Sequence, residues 1–274
     1  MRNRCAKRLI LLLVLIVVLI AYMVALASSA PRLRSLTVRL GDWPPSARPL
    51  RLVLISDLHV SRPGDSPARL KTTVTAINAL RPDLVLIAGD FIARGISDAH
   101  AYRASEAIAP LADLKTRLGV FAILGNHDYT ALDAVRLALA RSGVHLLDNS
   151  AARVGPAAII GVSDIFSKHA HVPEAIGSWR KIGGVPIVIT HSPDVIPALP
   201  SSFHLVFAGH THCGQVRLPL LGAPITQSRY GQRYGCGVIK EGQRVSVITA
   251  GLGTSSFPIR LGAAPDMWLV TIER

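Results

Sequence analysis

Short runs of apolar residues in this chain repeatedly end at an aspartate, a histidine or an asparagine. The pattern occurs in five segments: 56–59, 89–90, 125–128, 190–194 and 209–212. Near-continuous apolar runs of this kind are typical of strands that are buried on both faces of a sheet. Because the loops at the carboxyl ends of such strands meet at one crevice in α/β proteins, we expect these polar side chains to cluster.

The polar side chains at these five places are carboxylates, imidazoles and one amide, without a thiolate. Ligands of these types suit divalent Mn, Fe, Zn or Mg. Their number is sufficient for two ions if one carboxylate bridges both. Two ions about 3.5–4 Å apart can hold the attacking and the leaving oxygen in phosphoryl transfer. The residues therefore predict a dinuclear metal site that acts on a phosphoric ester.

The elements that would position these residues can be predicted from hydrophobic spacing. Near-continuous apolar runs predict buried strands over residues 51–56, 83–88, 119–124, 185–190 and 204–208. Helical spacing predicts helices over 66–80 and 130–142. Three further strands, over 238–240, 245–249 and 267–272, follow with no helix between them and indicate an antiparallel portion. We therefore expect an α/β layered sandwich that contains a mixed sheet.

An apolar segment near the amino terminus is long enough to cross a membrane. Four basic residues between positions 2 and 8 precede an unbroken apolar run over 9–27, which spans about 28 Å as a helix. This length favours an uncleaved anchor over 1–30, while small residues at 25–30 leave cleavage as the alternative. A single-pass anchor in the inner membrane would place the following domain on the extracytoplasmic side, although basic residues at 32, 34 and 39 weaken that asymmetry.

The rest of the chain divides at a proline-rich segment. Residues 31–49 contain four prolines and read as a linker or as a first edge strand. Residues 50–274 are then one domain of ordinary size. The three cysteines form no framework and no paired zinc motif. Cys213 and Cys236 are the only possible internal pair, but we expect both to be free thiols.

The chain is strongly basic, with a formal net charge of +13 and a pI near 10.5. Such a charge favours polyanionic partners: nucleic acid, anionic lipid or a phosphorylated substrate. Scattered arginines are also what a GC-rich genome produces, so the charge leaves both explanations open. Because no basic run occurs beyond the first residues, a nucleic-acid partner is not expected.

The polar segments, in their order, resemble a known motif set. SDLH, GDF, GNHD, THSPD and GHTHCGQ are similar to the motifs of the calcineurin-like metallophosphoesterases. The resemblance covers about residues 50–274. It implies two mixed β-sheets flanked by helices, and hydrolysis of a phosphodiester or diphosphate by a hydroxide that bridges two metal ions.

A narrower resemblance concerns the membrane segment, QVRLP at 215–219 and the stretch 251–261. These resemble the membrane-anchored bacterial phosphodiesterase branch, some of whose members cleave UDP-2,3-diacylglucosamine, a precursor of lipid A. The resemblance implies a phosphorylated small molecule or a lipid-linked substrate, a membrane partner and a place in lipid metabolism. Oligomeric state is not indicated.

Carried over by motif, the resemblance implies seven metal ligands in two sets that share one carboxylate. The first set is Asp57, His59, Asp90 and His212. The second set is Asp90, Asn126, His191 and His210. His127 is the implied catalytic residue, as an acid for the leaving oxygen or as a charge stabiliser. Asp128 is implied to orient His127.

Two departures from the family pattern bear on the substrate pocket. Cys213 replaces the usual glycine after GHTH, and Ala264-Pro265-Asp266 replaces Pro-Pro-Glu. Neither departure removes a ligand.

Several residues outside the ligand set have alternative interpretations. Arg217 and Arg260 could bind substrate phosphate or be solvated surface residues. Five histidines lie outside the motifs and are expected at the surface or in the core: His100, His145, His169, His171 and His204. Of these, the two in the loop 163–173 could reach over the site.

Two other functions compete with a membrane-bound hydrolase. One is a binding scaffold that keeps the fold without the metals, and the intact ligand set argues against it. The other is a nuclease attracted by the positive charge, which the apolar segment and the absence of a basic run argue against.

Overall fold

The computed structural model describes residues 2–61, 64–93 and 102–274, so His100 lies outside the described residues. Its first element is helix α1, Arg2–Ala27, which contains an 18-residue window of mean hydropathy 3.4. The apolar side chains of α1 are largely exposed. The helix is therefore long and apolar enough to cross a membrane, by length and composition.

The described strands form two six-stranded sheets. Sheet 1 has, in spatial order, β1 (Arg32–Arg39), β12 (Asp266–Glu273), β2 (Leu50–Ile55), β3 (Leu84–Ala88), β4 (Val120–Ile123) and β5 (Val144–Leu146). Sheet 2 has β10 (Gly237–Glu241), β11 (Arg244–Ile248), β9 (Leu205–Ala208), β8 (Val185–Thr190), β7 (Ala157–Val162) and β6 (Ser150–Val154). Within sheet 1, β2 to β5 are parallel and β12 runs antiparallel to β2. Sheet 2 has β7, β8, β9 and β11 parallel, with antiparallel β6 and β10 at its edges.

Helices cover the outer face of each sheet. On sheet 1 lie α2 (Pro67–Ala79), α3 (Ala104–Ile108) and α4 (Leu132–Arg141), and on sheet 2 lies α5 (Val172–Ile182). Helix α2 begins where the sequence indicates, because Ser66 accepts a hydrogen bond from the Arg69 backbone N–H and proline occupies the first turn.

The alternation of side chains between the two faces of each strand explains why the core is layered. In β2, Leu52 and Leu54 face sheet 2, while Val53 and Ile55 face the helices of sheet 1. All four side chains are fully buried. A strand that is buried on both faces has an unbroken run of apolar residues, and these runs are the basis on which the strands are predicted from the sequence. The expected α/β sandwich of two mixed sheets flanked by helices is confirmed.

The segment 31–49 contains a strand that belongs to sheet 1. β1 pairs in parallel with β12 from Arg32 to Arg39 and forms the edge of the sheet. Of the two alternatives for this segment, the edge strand is therefore the one observed. The strand begins five residues after α1 ends, so the apolar helix leads directly into the sandwich.

Helix α1 is hydrogen-bonded to the sandwich near its carboxyl end. The backbone N–H of Arg260 donates to the carbonyl of Met23 at 3.0 Å. The guanidinium of Arg69, on α2, donates to the carbonyls of Ala27 at 3.2 Å and Ser29 at 2.9 Å. These bonds hold the sandwich close to the point where the helix ends.

Candidate metal centre

The predicted ligands all lie in loops that follow parallel strands. In sheet 1, the loops after β2, β3 and β4 carry Asp57 and His59, Asp90, and Asn126 with His127. In sheet 2, the loops after β8 and β9 carry His191, His210 and His212. The carboxyl ends of both sheets thus meet at one edge of the sandwich, as the sequence predicts.

One group of ligand atoms gathers around His212. Its Nε2 atom lies 3.1 Å from the Nε2 atom of His59 and 3.6 Å from an Asp57 oxygen. All three residues are buried, with at most 3 % of their surface exposed. Their ligand atoms lie close enough together to hold one metal ion.

A second group gathers around His191. Its Nε2 atom lies 3.1 Å from the Asn126 side-chain oxygen and 3.2 Å from the His210 Nδ1 atom. The opposite nitrogen of His191, Nδ1, is 2.7 Å from the carbonyl of Ala88 and donates to it. This bond orients the ring so that Nε2 faces the other ligands, which is the orientation a metal ligand needs.

Asp90 lies between the two groups. One of its oxygens, Oδ2, is 3.4 Å from His59 Nε2 and 3.3 Å from His191 Nε2. The other, Oδ1, accepts a hydrogen bond from the backbone N–H of His127 at 2.9 Å. A single carboxylate oxygen therefore faces both groups, which would allow it to be shared between two ions.

The protonation states of the histidines fit a cation site. Burial lowers the pKa of His59 to about 3 and that of His210 to about 4, so both rings are neutral near pH 7. Burial alone would raise the pKa of Asp90 by favouring the protonated carboxyl, but the nearby charge of His191 and its hydrogen bond favour the ionised form more strongly, so the pKa is lowered. Asp90 outweighs the effect of burial on His191 and raises the pKa of that ring, so His191 must lose a proton before a divalent cation can take its place among these ligand atoms.

The backbone around the site is strained in a way that brings these groups together. Asp57, His59, Asp90, His210 and His212 all have positive φ angles, between 43° and 67°. Residues other than glycine rarely adopt this left-handed conformation, and where they do the surrounding structure must enforce it. Such strain in five candidate ligands is typical of a functional site.

Close approach of the loops requires glycine at two positions. A Cβ atom on Gly209 would lie 2.5 Å from an oxygen of Asp57, and one on Gly125 would collide with the carboxylate of Asp90. Both glycines belong to the predicted motifs, and both allow a ligand carboxylate to pass next to the backbone.

His127 lies at the open side of the site. Its ring centre is 4.6 Å from that of His59, and its ring belongs with His59 and Asp90 to a third group of potential ligand atoms. Asn126 and His127 are half-buried, whereas the other ligands are buried. A substrate would therefore reach the site from the side of these two residues.

Asp128 connects two of the ligand loops. Its buried carboxylate accepts backbone hydrogen bonds from Gly125 at 2.8 Å and from Asp90 and Phe91 at 2.9 Å. These bonds fasten the loop after β3 to the loop after β4 and so place Asp90 next to His127. The orienting of His127 by Asp128 stays a prediction.

Comparison with known proteins identifies the family. A family model described as calcineurin-like phosphoesterase matches residues 50–214, more than half of the chain. The protein belongs to this family. It is therefore a metallophosphoesterase, a hydrolase of phosphoric esters, and the family's dinuclear divalent metal centre fits the ligand groups described above.

Three relatives show how the family resemblance extends along the chain. A zebrafish transmembrane protein with metallophosphoesterase domain is 27 % identical over 98 % of this chain and 63 % of its own length. The uncharacterized metallophosphoesterase YkuE of Bacillus subtilis is 28 % identical over 81 % of this chain and 79 % of its own. Phosphodiesterase YaeI of Escherichia coli is 28 % identical over 85 % and 86 %. The chain thus spans less than two thirds of the zebrafish relative.

Two cysteines of this metallophosphoesterase are bonded to each other, in contrast to the prediction from the sequence. Cys213 and Cys236 form a disulfide, with Cα atoms 4.6 Å apart, so the prediction of free thiols is wrong. Cys213 has a φ of 53° in the short turn that begins at His212. The pairing depends on the path of the chain between positions 213 and 236, which spacing alone does not reveal.

Arg260 is not solvated, so its interpretation as a surface residue is wrong. Its side chain is fully buried, and its guanidinium donates to the carbonyls of Ala250, Gly253 and Ala263 at 2.5–2.8 Å. Burial lowers its pKa to about 10, so it stays charged at neutral pH. Arg260 thereby ties the stretch 250–253 to the end of the loop before β12.

The loop after β7 contains residues that the sequence interpretation missed. Asp164 follows β7 as the ligands follow the other strands, it is fully buried, and its Oδ1 atom has no hydrogen-bond partner among the described residues. The exposed ring of Phe166 lies 4.9 Å from that of His210. Of the two histidines that could reach over the site, His169 stacks on Tyr129, with ring centres 4.0 Å apart.

Metal affinity is expected to increase with pH up to about 7. Burial raises the pKa of Asp57 in the metal-free protein to about 7, against the opposing charge of His191. Below that pH a proton occupies the carboxylate and must leave before a metal binds, so affinity should fall by about tenfold per pH unit. Calorimetric titration of the metal-free protein with Mn²⁺ on both sides of pH 7 measures this slope. An affinity that does not change with pH would contradict the protonation of Asp57.

Proposed function

We propose that this metallophosphoesterase hydrolyses a phosphodiester or diphosphate bond in a lipid-linked substrate, such as UDP-2,3-diacylglucosamine, at the surface of the inner membrane. The observation that carries the hydrolytic part is the position of Asp90, whose Oδ2 atom lies 3.3–3.4 Å from a histidine of each ligand group. The lipid part rests on the apolar helix α1 and its hydrogen bonds to the sandwich.

In this proposal the seven predicted ligands would hold two divalent ions, with Asp90 in both sets. The first ion would be held by Asp57, His59, Asp90 and His212. The second would be held by Asp90, Asn126, His191 and His210. When bound, two such ions supply Lewis acidity to the phosphoryl oxygens and lower the pKa of a coordinated water. The chain supplies the buried and pre-oriented ligands.

His127 is the proposed acid for the leaving oxygen. It is half-buried, so its ring is accessible to a substrate, and it lies beside His59 and Asp90. Its backbone N–H is held by Asp90, and the turn that begins at Asp128 fixes its position. A proton held on this ring would be transferred to the departing alkoxide or phosphate.

The proposed anchor comprises residues 1–30 and precedes the edge strand in 31–49 and the hydrolase domain of 50–274. Helix α1 is exposed and apolar, and Met23, Ala27 and Ser29 accept hydrogen bonds from the domain. A domain held in this way stays within reach of lipid headgroups. The zebrafish relative is named as a transmembrane protein, which supports an anchored arrangement.

The disulfide supports an extracytoplasmic position of the domain. Structural disulfides persist in oxidising compartments such as the periplasm and are rare in the cytosol. The Cys213–Cys236 bond directly follows the ligand His212, so a reducing compartment would loosen a metal-binding loop.

A carboxyl-terminal fusion tests the orientation. We expect a reporter enzyme that folds only outside the cytoplasm to be active when fused after Arg274, because one span separates the basic amino terminus from the domain. A fluorescent reporter that matures only in the cytoplasm serves as the matched control and should remain dark. The reverse pattern would contradict the proposed side of the membrane.

Comparison of substrates tests the lipid specificity. For the full-length protein in vesicles, we expect kcat/KM to be at least about tenfold higher for a lipid-linked diphosphate than for a soluble diphosphate with the same headgroup. The reason is that the anchor concentrates the site where the lipid resides. Equal values for both substrates would leave a tethered phosphodiesterase without lipid specificity. Faster cleavage of nucleic acid than of either would favour the nuclease alternative.

A further inference from the structure

A groove opens beside the metal centre. It has a volume of about 440 Å³, and its walls are formed by the segments 211–216, 224–227 and 255–259. The proposed ligand His212 is one of its lining residues. Its apolar lining residues are Val216, Pro224, Ile225, Phe257 and Ile259. The volume lies within the range of pockets that bind small molecules, which are about 300–1,000 Å³.

The walls of the groove are fastened to one another. The side-chain amide of Gln215 donates to the carbonyls of Phe257 at 3.2 Å and Ile259 at 3.1 Å, and its oxygen accepts from the backbone N–H of Ser255 at 2.6 Å. The Cys213–Cys236 disulfide holds the start of the same segment. The groove is therefore formed by the fold before any ligand enters it.

One wall of the groove is joined to the apolar helix. Ile259 lines the groove, and the next residue, Arg260, donates its backbone N–H to the carbonyl of Met23 on α1 at 3.0 Å. Because Met23 is one turn from the end of the helix at Ala27, the groove lies near the level at which α1 would leave a bilayer.

Apolar side chains around the groove are unusually exposed. Ile225 and Phe257 line the groove and are 69 % and 68 % exposed. Leu220 and Leu221 project from the turn that is closed by hydrogen bonds between Leu218 and Gly222. Exposed apolar groups that line a groove are typical of binding sites, and the position of this groove beside the apolar helix favours a lipid as the ligand.

We propose that this groove binds an acyl chain of the substrate while the phosphate attached to it reaches the metal centre. The inference rests on the proposed lipid-linked substrate and extends it by naming the residues that recognise the chain. His212 joins the two parts, because it lines the groove and belongs to a ligand group. Each methylene buried in an apolar site adds about fourfold to affinity, so longer chains should be better substrates until the groove is filled.

The test measures how kcat/KM depends on acyl-chain length. The full-length protein is assayed, in detergent micelles and separately in vesicles, with substrates that share one diphosphate headgroup and carry short, medium or long acyl chains. Each value is divided by the activity of the same variant on a soluble aryl phosphodiester. We expect the normalised kcat/KM of the wild-type protein to increase steeply with the length of the acyl chain. In Ile225→Asn and Phe257→Asn, the ratio of kcat/KM for the longest chain to that for the shortest should be about tenfold smaller than in the wild type. Phe257→Leu should retain the wild-type ratio.

The control is Leu137→Asn on α4. Leu137 is 52 % exposed and does not line the groove, so this variant should keep the wild-type dependence. Thermal melting of each variant reports folding separately from activity. If the groove variants keep a steep dependence on chain length, the acyl-chain site is wrong while the lipid specificity stands. If kcat/KM of the wild-type protein does not change with chain length, both the acyl-chain site and the lipid specificity are wrong. An effect that appears in vesicles and vanishes in micelles would assign these residues to the bilayer surface and would overturn the groove as a chain site.

Discussion

Asp90→Asn is expected to abolish detectable turnover. The Oδ2 atom of Asp90 faces His59 and His191 at 3.4 and 3.3 Å, and an amide of the same size cannot supply the anionic bridge between two dications. The loss should be seen with every phosphodiester, because it removes the shared ligand and not a contact with one substrate. Turnover at saturating metal and elemental analysis of the purified variant are the measurements.

The same substitution at a surface carboxylate provides the control. Asp148 is about half exposed and pairs with Arg136 at 2.7 Å, so Asp148→Asn should keep wild-type activity. Near-normal turnover of Asp90→Asn with both metals retained would refute the shared-ligand assignment.

His127→Asn is expected to lower kcat by about 10²–10⁴, with little loss of metal. The residue lies at the open side of the site and is half-buried, whereas the proposed ligand His59 beside it is buried. A group that protonates the leaving oxygen matters most when that oxygen is a poor leaving group. The loss should therefore shrink from alkyl to nitrophenyl diesters, which depart without a proton.

His145→Asn is the matched control, because His145 is exposed and stacks on Phe121 away from the ligands. A loss in His127→Asn that is equal for good and poor leaving groups would show that the ring stabilises charge and does not donate a proton. A loss of metal equal to the loss of activity would make His127 a ligand.

The strands that carry the ligands were predictable because local pattern determines them. β2, β3, β4, β8 and β9 are buried on both faces, and burial on both faces produces the unbroken apolar runs from which they were predicted. The clustering of the polar residues then followed from the rule that parallel strands present their carboxyl ends at one edge. The ligand identities within the two groups came from the family resemblance.

Other elements were missed for identifiable reasons. β6 is only partly buried and has no continuous apolar run, so its sequence carries little signal. β7, in contrast, is a continuous apolar strand that ends near Asp164, so the rule that identified the other ligand loops would have revealed both.

Long-range features could not be derived from spacing. The Cys213–Cys236 disulfide and the four carbonyls around the Arg260 guanidinium depend on where separate loops meet. A surface arginine and a buried arginine cannot be distinguished in a sequence, because the groups that surround the side chain in the fold determine whether it is buried. The groove beside His212 is likewise formed by three segments that are distant in sequence.

In the proposed function this chain holds two metal ions that act together on a phosphodiester. The most direct measurement is a titration of the metal-free, full-length protein with Mn²⁺, in which bound metal and hydrolysis of a bis-aryl phosphodiester are followed in the same samples. With Asp90 shared between the two ligand groups, we predict that hydrolysis reaches its plateau at two bound ions per chain and is nearly absent at one. A plateau at one ion, or saturation with metal without hydrolysis, would contradict the claim.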